Sequence, residues 1–256
     1  MTRTAPVTPR AFDASERSAA AGGGRFALDR ALLADLAEMA LTDARRAGAT
    51  YADIRLGETR REYSSARDAR LENFDERLTQ GFGVRVLLDG AWGFYGAQRL
   101  DAETLRVGVA RALDNARAMR PIQKQPIELE RLPTQEAEWI MPMATDPLAI
   151  DAGRKADLLL AICAGARDAG ADFCTASLSI AREERFFANS FGARIHQTRT
   201  RVAPSFTAVA VDRAAGHVAT RDCLTPARGA GWEYLETAGL IEEATLAGAQ
   251  ARAKLA

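Results

Sequence analysis

Between Gly81 and Gly96 the chain reads GFGVRVLLDGAWGFYG, and no other stretch restricts the possible folds as much. Val84, Val86 and Leu88 alternate with Arg85 and Leu87, and Asp89-Gly90 separates them from Ala91-Trp92-Gly93-Phe94. An Asp-Gly pair between β-prone runs marks a two-residue hairpin, because a type I′ turn needs positive φ at both central positions. That turn sets Leu88 opposite Ala91, Leu87 opposite Trp92 and Val86 opposite Gly93. Leu87, Trp92 and Phe94 then share one face, and Val84, Val86, Leu88 and Tyr95 the other. Both faces are largely apolar, which predicts an inner hairpin of a sheet covered on both sides. The same glycines do not make a phosphate loop. A dinucleotide fingerprint needs G-x-G-x-x-G opening a helix, whereas position 86 is Val and a strand follows; the Gly-Lys-Ser/Thr of a Walker loop is absent.

Around this hairpin the pattern alternates between helix and strand. Leu28, Leu32, Leu36, Met39 and Ala40 recur at helical spacing over 28–47, and Gly48 supplies a stop. Short strands are predicted at Tyr51–Leu56, Thr59–Ala66 and Arg70–Arg77. Asp101 caps a helix over 102–120, ended by Pro121. Residues 121–150 carry Pro121, Pro126, Pro133, Pro142 and Pro147 and read as a linker. The second half then echoes the first. A helix over 150–169 ends in Arg167-Asp-Ala-Gly170-Ala171-Asp-Phe173, as the earlier one ends in Arg45-Arg-Ala-Gly48-Ala49-Thr-Tyr51. Arg60-Arg61-Glu62 follows in one and Arg182-Glu183-Glu184 in the other, a repeated helix–Gly–strand–strand unit. Strands are predicted at 194–201, 205–212 and 216–223, and a last helix over 233–255. The class is α+β: two helix-plus-antiparallel-sheet subdomains, 27–120 and 151–256, joined by the Pro-rich segment 121–150 and preceded by a disordered tail, 1–26.

Function classes narrow by composition and by missing motifs. Lys+Arg and Asp+Glu are both 34, so the formal net charge of zero argues against a nucleic-acid-gripping protein. No apolar run is long enough for a membrane span, and 1–26 lacks the apolar core of a secretory signal. Cys163, Cys174 and Cys223 have no CxxC spacing, and an odd count of thiols suits a reducing, cytoplasmic setting. His196 and His217 are the two histidines; with Cys223 they form the one conceivable zinc set, but without ligand spacing. Ser190 lies in a turn without G-x-S-x-G. Glu183 and Glu184 are neighbours in a strand, so their side chains point to opposite faces. Arg194, Arg199 and Arg201 could meet something anionic, with a solvated strand face as the default reading. No catalytic, cofactor-binding or metal residue is assigned.

Several of these segments resemble the N-terminal half of TldD/PmbA proteins. They are Tyr51-Ala-Asp53-Ile-Arg55, Leu71-Glu72, Gly81-x-Gly83-Val-Arg85-Val, Asp89-Gly90-x-Trp92-Gly93-Phe94, Asn189-x-x-Gly192 and Gly229-x-Gly231-Trp232-Glu233. The similarity runs from about Leu28 to Leu255. It implies a cytoplasmic zinc metallopeptidase lineage, also named as modulators of DNA gyrase, that works as homo- or heterodimers on unfolded peptides. It places the zinc on an HExxxH helix in a C-terminal half beyond Ala256. The expected role of this chain is therefore the substrate-channel and dimerisation half, inactive alone. The alternative is a non-catalytic peptide-binding subunit paired with a full-length paralogue. Neither nucleic acid nor membrane is an expected partner.

Overall fold

The computed structural model describes residues 30–131 and 133–255; the tail expected at 1–26 lies outside them. The elements run α1 (Arg30–Arg46), β1 (Tyr51–Arg67), β2 (Arg70–Leu88), β3 (Ala91–Ala97), α2 (Ala102–Met119), β4 (Glu136–Ile140), α3 (Ala152–Asp168), β5 (Phe173–Asn189), β6 (Arg194–Asp212), β7 (His217–Asp222), α4 (Trp232–Thr237) and α5 (Leu240–Ala253). No helix among the described residues is long and apolar enough to cross a membrane.

The α+β class holds, but the two units share one seven-stranded sheet, in the order β3-β2-β1-β5-β6-β4 with β7 also on β6. What joins them is the antiparallel pairing of β1 with β5 as well as the Pro-rich segment. That segment is itself partly ordered into β4, which runs parallel to β6 at Arg194–Thr198. The short strands predicted at 51–56 and 59–66 merge into β1, because β2 on one side and β5 on the other keep the chain extended through Gly57. The predicted last helix breaks in two at Gly239, whose φ is +64°.

The Asp89-Gly90 hairpin has the predicted register, with Leu88 opposite Ala91, Leu87 opposite Trp92 and Val86 opposite Gly93. Both turn residues have positive φ, 50° and 73°. Its position differs from the expectation. β3 is an edge strand; α1 and α2 cover the Val84–Val86–Leu88 face, while on the other face Leu87 is buried beside Tyr51 and Trp92 but Phe94 is 58% exposed. Gly93 lets α2 approach this closely, since a Cβ there would lie 1.8 Å from the Ala112 carbonyl oxygen.

The repeat read from the sequence is a structural one. A single constant offset carries Arg30–Arg46 onto Ala152–Asp168, Gly48 onto Gly170, and Tyr51–Arg67 onto Phe173–Asn189. Gly48 and Gly170 both turn the chain out of the helix with positive φ, 92° and 119°. The same offset carries the β1–β2 register onto the β5–β6 register. In the β1–β5 ladder, Arg60 faces its own counterpart Arg182, so a local two-fold axis passes between them. That axis stands perpendicular to the sheet and puts all the helices on one side of it. Even-numbered β1 and β5 residues such as Ile54, Leu56, Leu178 and Ile180 are buried under the helices in two cores, one per unit. The odd-numbered residues form the opposite face, which no helix among the described residues covers.

Candidate functional site

The uncovered face is organised as rows across the four long strands. One row reads Arg77–Arg61–Ala181–Arg201, the next Thr79–Thr59–Glu183–Arg199, and the next Gly81–Gly57–Arg185–Gln197. Arg199 and Arg185 both reach Glu183, at 3.2 and 3.1 Å. Arg61 and Arg77 are directly opposed, and neither they nor Arg201 form an ion pair among the described residues. Like charges opposite one another across an antiparallel pair are destabilising. Farther along, Asp53 is fully buried on this face, held by Arg85 at 2.5 Å and Arg55 at 2.6 Å. Arg55 also stacks over Phe187, 5.0 Å from the ring centroid.

Between these groups lies an open trough of about 390 Å³, floored by Gly57, Gly81 and Gly83 and walled by Arg55, Arg185 and Phe94. Its floor has no room for larger residues: a Cβ on Gly81 would meet the Ala97 carbonyl at 2.7 Å, and one on Gly57 the Glu184 carbonyl at 2.9 Å. The local two-fold carries this trough to a second, of about 240 Å³, lined by Tyr63, Ser65, Thr175, Ser177, Ser205 and Thr207. Arg55, Gly83 and Arg185 of the first correspond to Ser177, Ser205 and Tyr63 of the second. One backbone arrangement thus presents a cationic trough at one end of the face and a hydroxyl-lined one at the other.

On the helix side, charged groups occupy the seam between the two cores. Lys155 and Glu62 form a buried ion pair at 2.5 Å, with side chains 1% and 5% exposed. Arg182 holds Asp146 at 2.6 Å. Glu184 is buried, opposite Glu58 in the β1–β5 ladder, and burial pushes its carboxyl up to about 7, with the Glu58 charge adding to the rise. Burial likewise raises Glu58 and Glu62, the latter pulled part of the way back by Lys155.

The residues considered from sequence fall apart as candidates for chemistry. His196 is buried on the helix side, 3.7 Å from Glu138, and burial holds its imidazole below the ordinary value. His217 is exposed at the far end of β6, opposite Asp212. The strand between them spans about 50 Å at 3.4 Å per residue. Cys223 lies against Glu243, with its thiol pushed up by burial. Among the described residues, no group of three or more His, Cys, Asp and Glu side chains could hold a metal ion. Ser190 is a structural latch: its Oγ accepts from the Ala52 amide at 3.0 Å. Cys163 and Cys174 are buried neighbours, the Cys163 thiol donating to the Cys174 carbonyl at 3.5 Å. Glu183 and Glu184 do point to opposite faces. Of the three arginines, Arg199 and Arg201 join the uncovered face, whereas Arg194 turns to the helix side and pairs with Glu38 at 2.7 Å. The row that joins Arg61 and Arg77 has no local sequence signal, because it exists only once four strands are in register.

Comparisons with known proteins agree with this architecture. The family model described as PmbA/TldA metallopeptidase domain 1 matches residues 52–119, and that of the PmbA/TldA metallopeptidase central domain matches residues 145–255. Three solved structures share the fold at low identity. A protein from Thermotoga maritima named as a modulator of DNA gyrase matches with TM-score 0.65 and 15% identity, over 87% of this chain and 48% of its own. One of the same name from Bacteroides thetaiotaomicron gives 0.61 and 16%, over 74% and 43%. TldE from Thermococcus kodakarensis gives 0.58 and 16%, over 84% and 46%. The chain therefore spans less than half the length of each. No curated protein matches significantly.

Proposed function

The chain belongs to the PmbA/TldD metallopeptidase family, and on that premise we propose that it supplies the substrate-channel and dimerisation half of such an enzyme, acting on unfolded peptides. The observation that carries this reading is the broad strand face left bare of helices. An extended chain can lie along such a face in the glycine-floored trough or add to a strand edge. The β2 edge over 70–80 offers itself for this: β3 pairs with β2 from Phe82 to Leu88, and Arg70–Gln80 has no strand neighbour on that side among the described residues. Water activation by zinc, with a glutamate as general base, belongs to a full-length TldD/PmbA-type subunit in this reading.

The test is zinc-dependent peptidase activity against an unfolded polypeptide, measured for this chain alone and mixed with a full-length TldD/PmbA-type subunit. Chelator-sensitive cleavage is expected in the mixture and not from the chain alone. Zinc-dependent cleavage by the chain alone would overturn the division of labour. Association with the full-length subunit that leaves its cleavage rate unchanged would favour a silent binding subunit instead.

A further inference from the structure

We propose that the uncovered sheet face is a docking surface for acidic, extended polypeptide, with Arg61, Arg77, Arg201 and Arg199 as the specificity-determining residues and Arg55 and Arg185 flanking the trough. The inference rests on the peptide-channel reading and deepens it by naming the class of substrate. Charge complementarity carries it. Arg61 and Arg77 are exposed, directly opposed and in no ion pair among the described residues, and Arg201 lies in the same row. A carboxylate ligand removes that repulsion and pairs with a planar guanidinium through two parallel hydrogen bonds.

The spacing favours an extended peptide. Arg199 and Arg201 are successive same-face residues of β6, so they recur at about 7 Å, the interval at which an extended chain presents alternate side chains to one side. The trough adds a floor without side chains, where a backbone can approach, and the exposed ring of Phe94 as an apolar wall. Nucleic acid fits less well. A phosphate backbone carries a charge at every residue and would have to cross Glu183 and Asp75, whereas an extended peptide with spaced carboxylates can set uncharged residues against them. A second copy fits no better, because an isologous contact would set these arginines against themselves.

The experiment is fluorescence anisotropy of the 256-residue chain with dye-labelled peptides of about ten residues, the length of strand such a face accommodates. The probes alternate Glu-Ala, Gln-Ala or Lys-Ala, with a single-stranded oligonucleotide as fourth. The Glu-Ala peptide should bind, more weakly as salt rises, and about tenfold or more tighter than Gln-Ala. Arg61→Glu with Arg201→Glu should lose at least that factor. Arg106→Glu with Arg111→Glu, the same charge change on the exposed side of α2, should not. Arg77→Glu supplies a readout independent of folding defects: it turns a repulsive pair into an attractive one, so Tm should rise by about 1–3 °C while Glu-Ala affinity falls. Equal binding of Gln-Ala, or equal loss in both double variants, would overturn the inference and leave the channel reading standing. Failure of every peptide to bind would overturn both. A tighter complex with the oligonucleotide, or self-association abolished by the Arg61→Glu/Arg201→Glu change, would give the face to nucleic acid or to a second copy and overturn the inference.

Discussion

The two halves of the sheet repeat one backbone and differ in what they bury at equivalent positions. Glu62 on β1 and Glu184 on β5 correspond under the local two-fold, and both are buried beneath the helices. Glu62 meets Lys155 of α3 at 2.5 Å. The residue of α1 at the place of Lys155 is Leu33, fully buried and without charge. Glu184 accordingly keeps the raised carboxyl that Lys155 moderates in Glu62. The outer faces diverge in parallel, arginines and glycines at one end and hydroxyls at the other. The framework therefore constrains the backbone closely and the chemistry loosely, and any functional asymmetry has to come from individual substitutions within an otherwise symmetric scaffold.

Removing Lys155 should break this comparison most severely. Lys155→Leu makes the second unit resemble the first and leaves Glu62 buried without a cation. Breaking one partner of a buried pair costs about 3–5 kcal/mol. Urea melts at pH 8 should show a loss of that size. Glu62 without Lys155 has a folded pKa raised above the unfolded value, so its charged form is destabilising once the pH exceeds both. The loss should shrink as the pH falls and the carboxyl neutralises. A loss that is the same at pH 5 and pH 8 would mean that packing around the lysine stem, rather than charge, sets the cost.

The second prediction concerns Glu184 in the intact protein. Its folded pKa, about 7, lies above the ordinary 4.5 of an unfolded glutamate. Between those values the folded state holds more protons than the unfolded one, so this residue lowers stability as pH rises through the window. Glu184→Gln should remove that part of the slope and raise stability at pH 8 by about 1–3 kcal/mol. A variant whose pH profile parallels the parent's would show that another group, Glu58 being the nearest in kind, carries the slope.

How much of this was legible in the sequence follows from the range of the contacts. The Asp89-Gly90 turn fixes the β2–β3 register because all its determinants lie within a few residues. Asp101 is equally local: its side chain accepts from the Thr104 amide at 2.8 Å, as a cap should. The repeat was visible too, since Gly48 and Gly170 end their helices in similar surroundings. The pairing of β1 with β5 was not, because polar strands such as Thr59–Ala66 state that one face is wet but not which strand lies alongside. Everything that depends on that pairing stayed hidden with it. The Arg77–Arg61–Ala181–Arg201 row, the Glu58–Glu184 juxtaposition and the Lys155–Glu62 pair all join residues far apart in the chain. The covered-on-both-sides reading of the hairpin held only in part for the same reason: Leu87 is buried on the second face, whereas Phe94 is exposed, and no helix among the described residues lies over it.

The smallest net effect, and the sharpest test of the comparison, comes from installing the missing cation. Leu33→Lys places an ammonium where the two-fold predicts contact with Glu184, copying the Lys155–Glu62 pair into the first unit. Two terms oppose each other. Losing a buried leucine costs about 2–3 kcal/mol of apolar burial, while a partner for Glu184 removes the penalty of its buried charge and adds an ion pair. Near cancellation is expected at pH 8, with stability within about 1 kcal/mol of the parent. The pH profile should nevertheless change clearly. With its pKa drawn back toward 4.5, Glu184 no longer loses stability as pH rises through 7, so the variant should match Glu184→Gln in slope while retaining the carboxylate. A fall of more than about 3 kcal/mol with the parent slope intact would mean that the lysine does not reach Glu184. The two units would then be equivalent in their strands and helix axes but not in the depth at which each helix is seated.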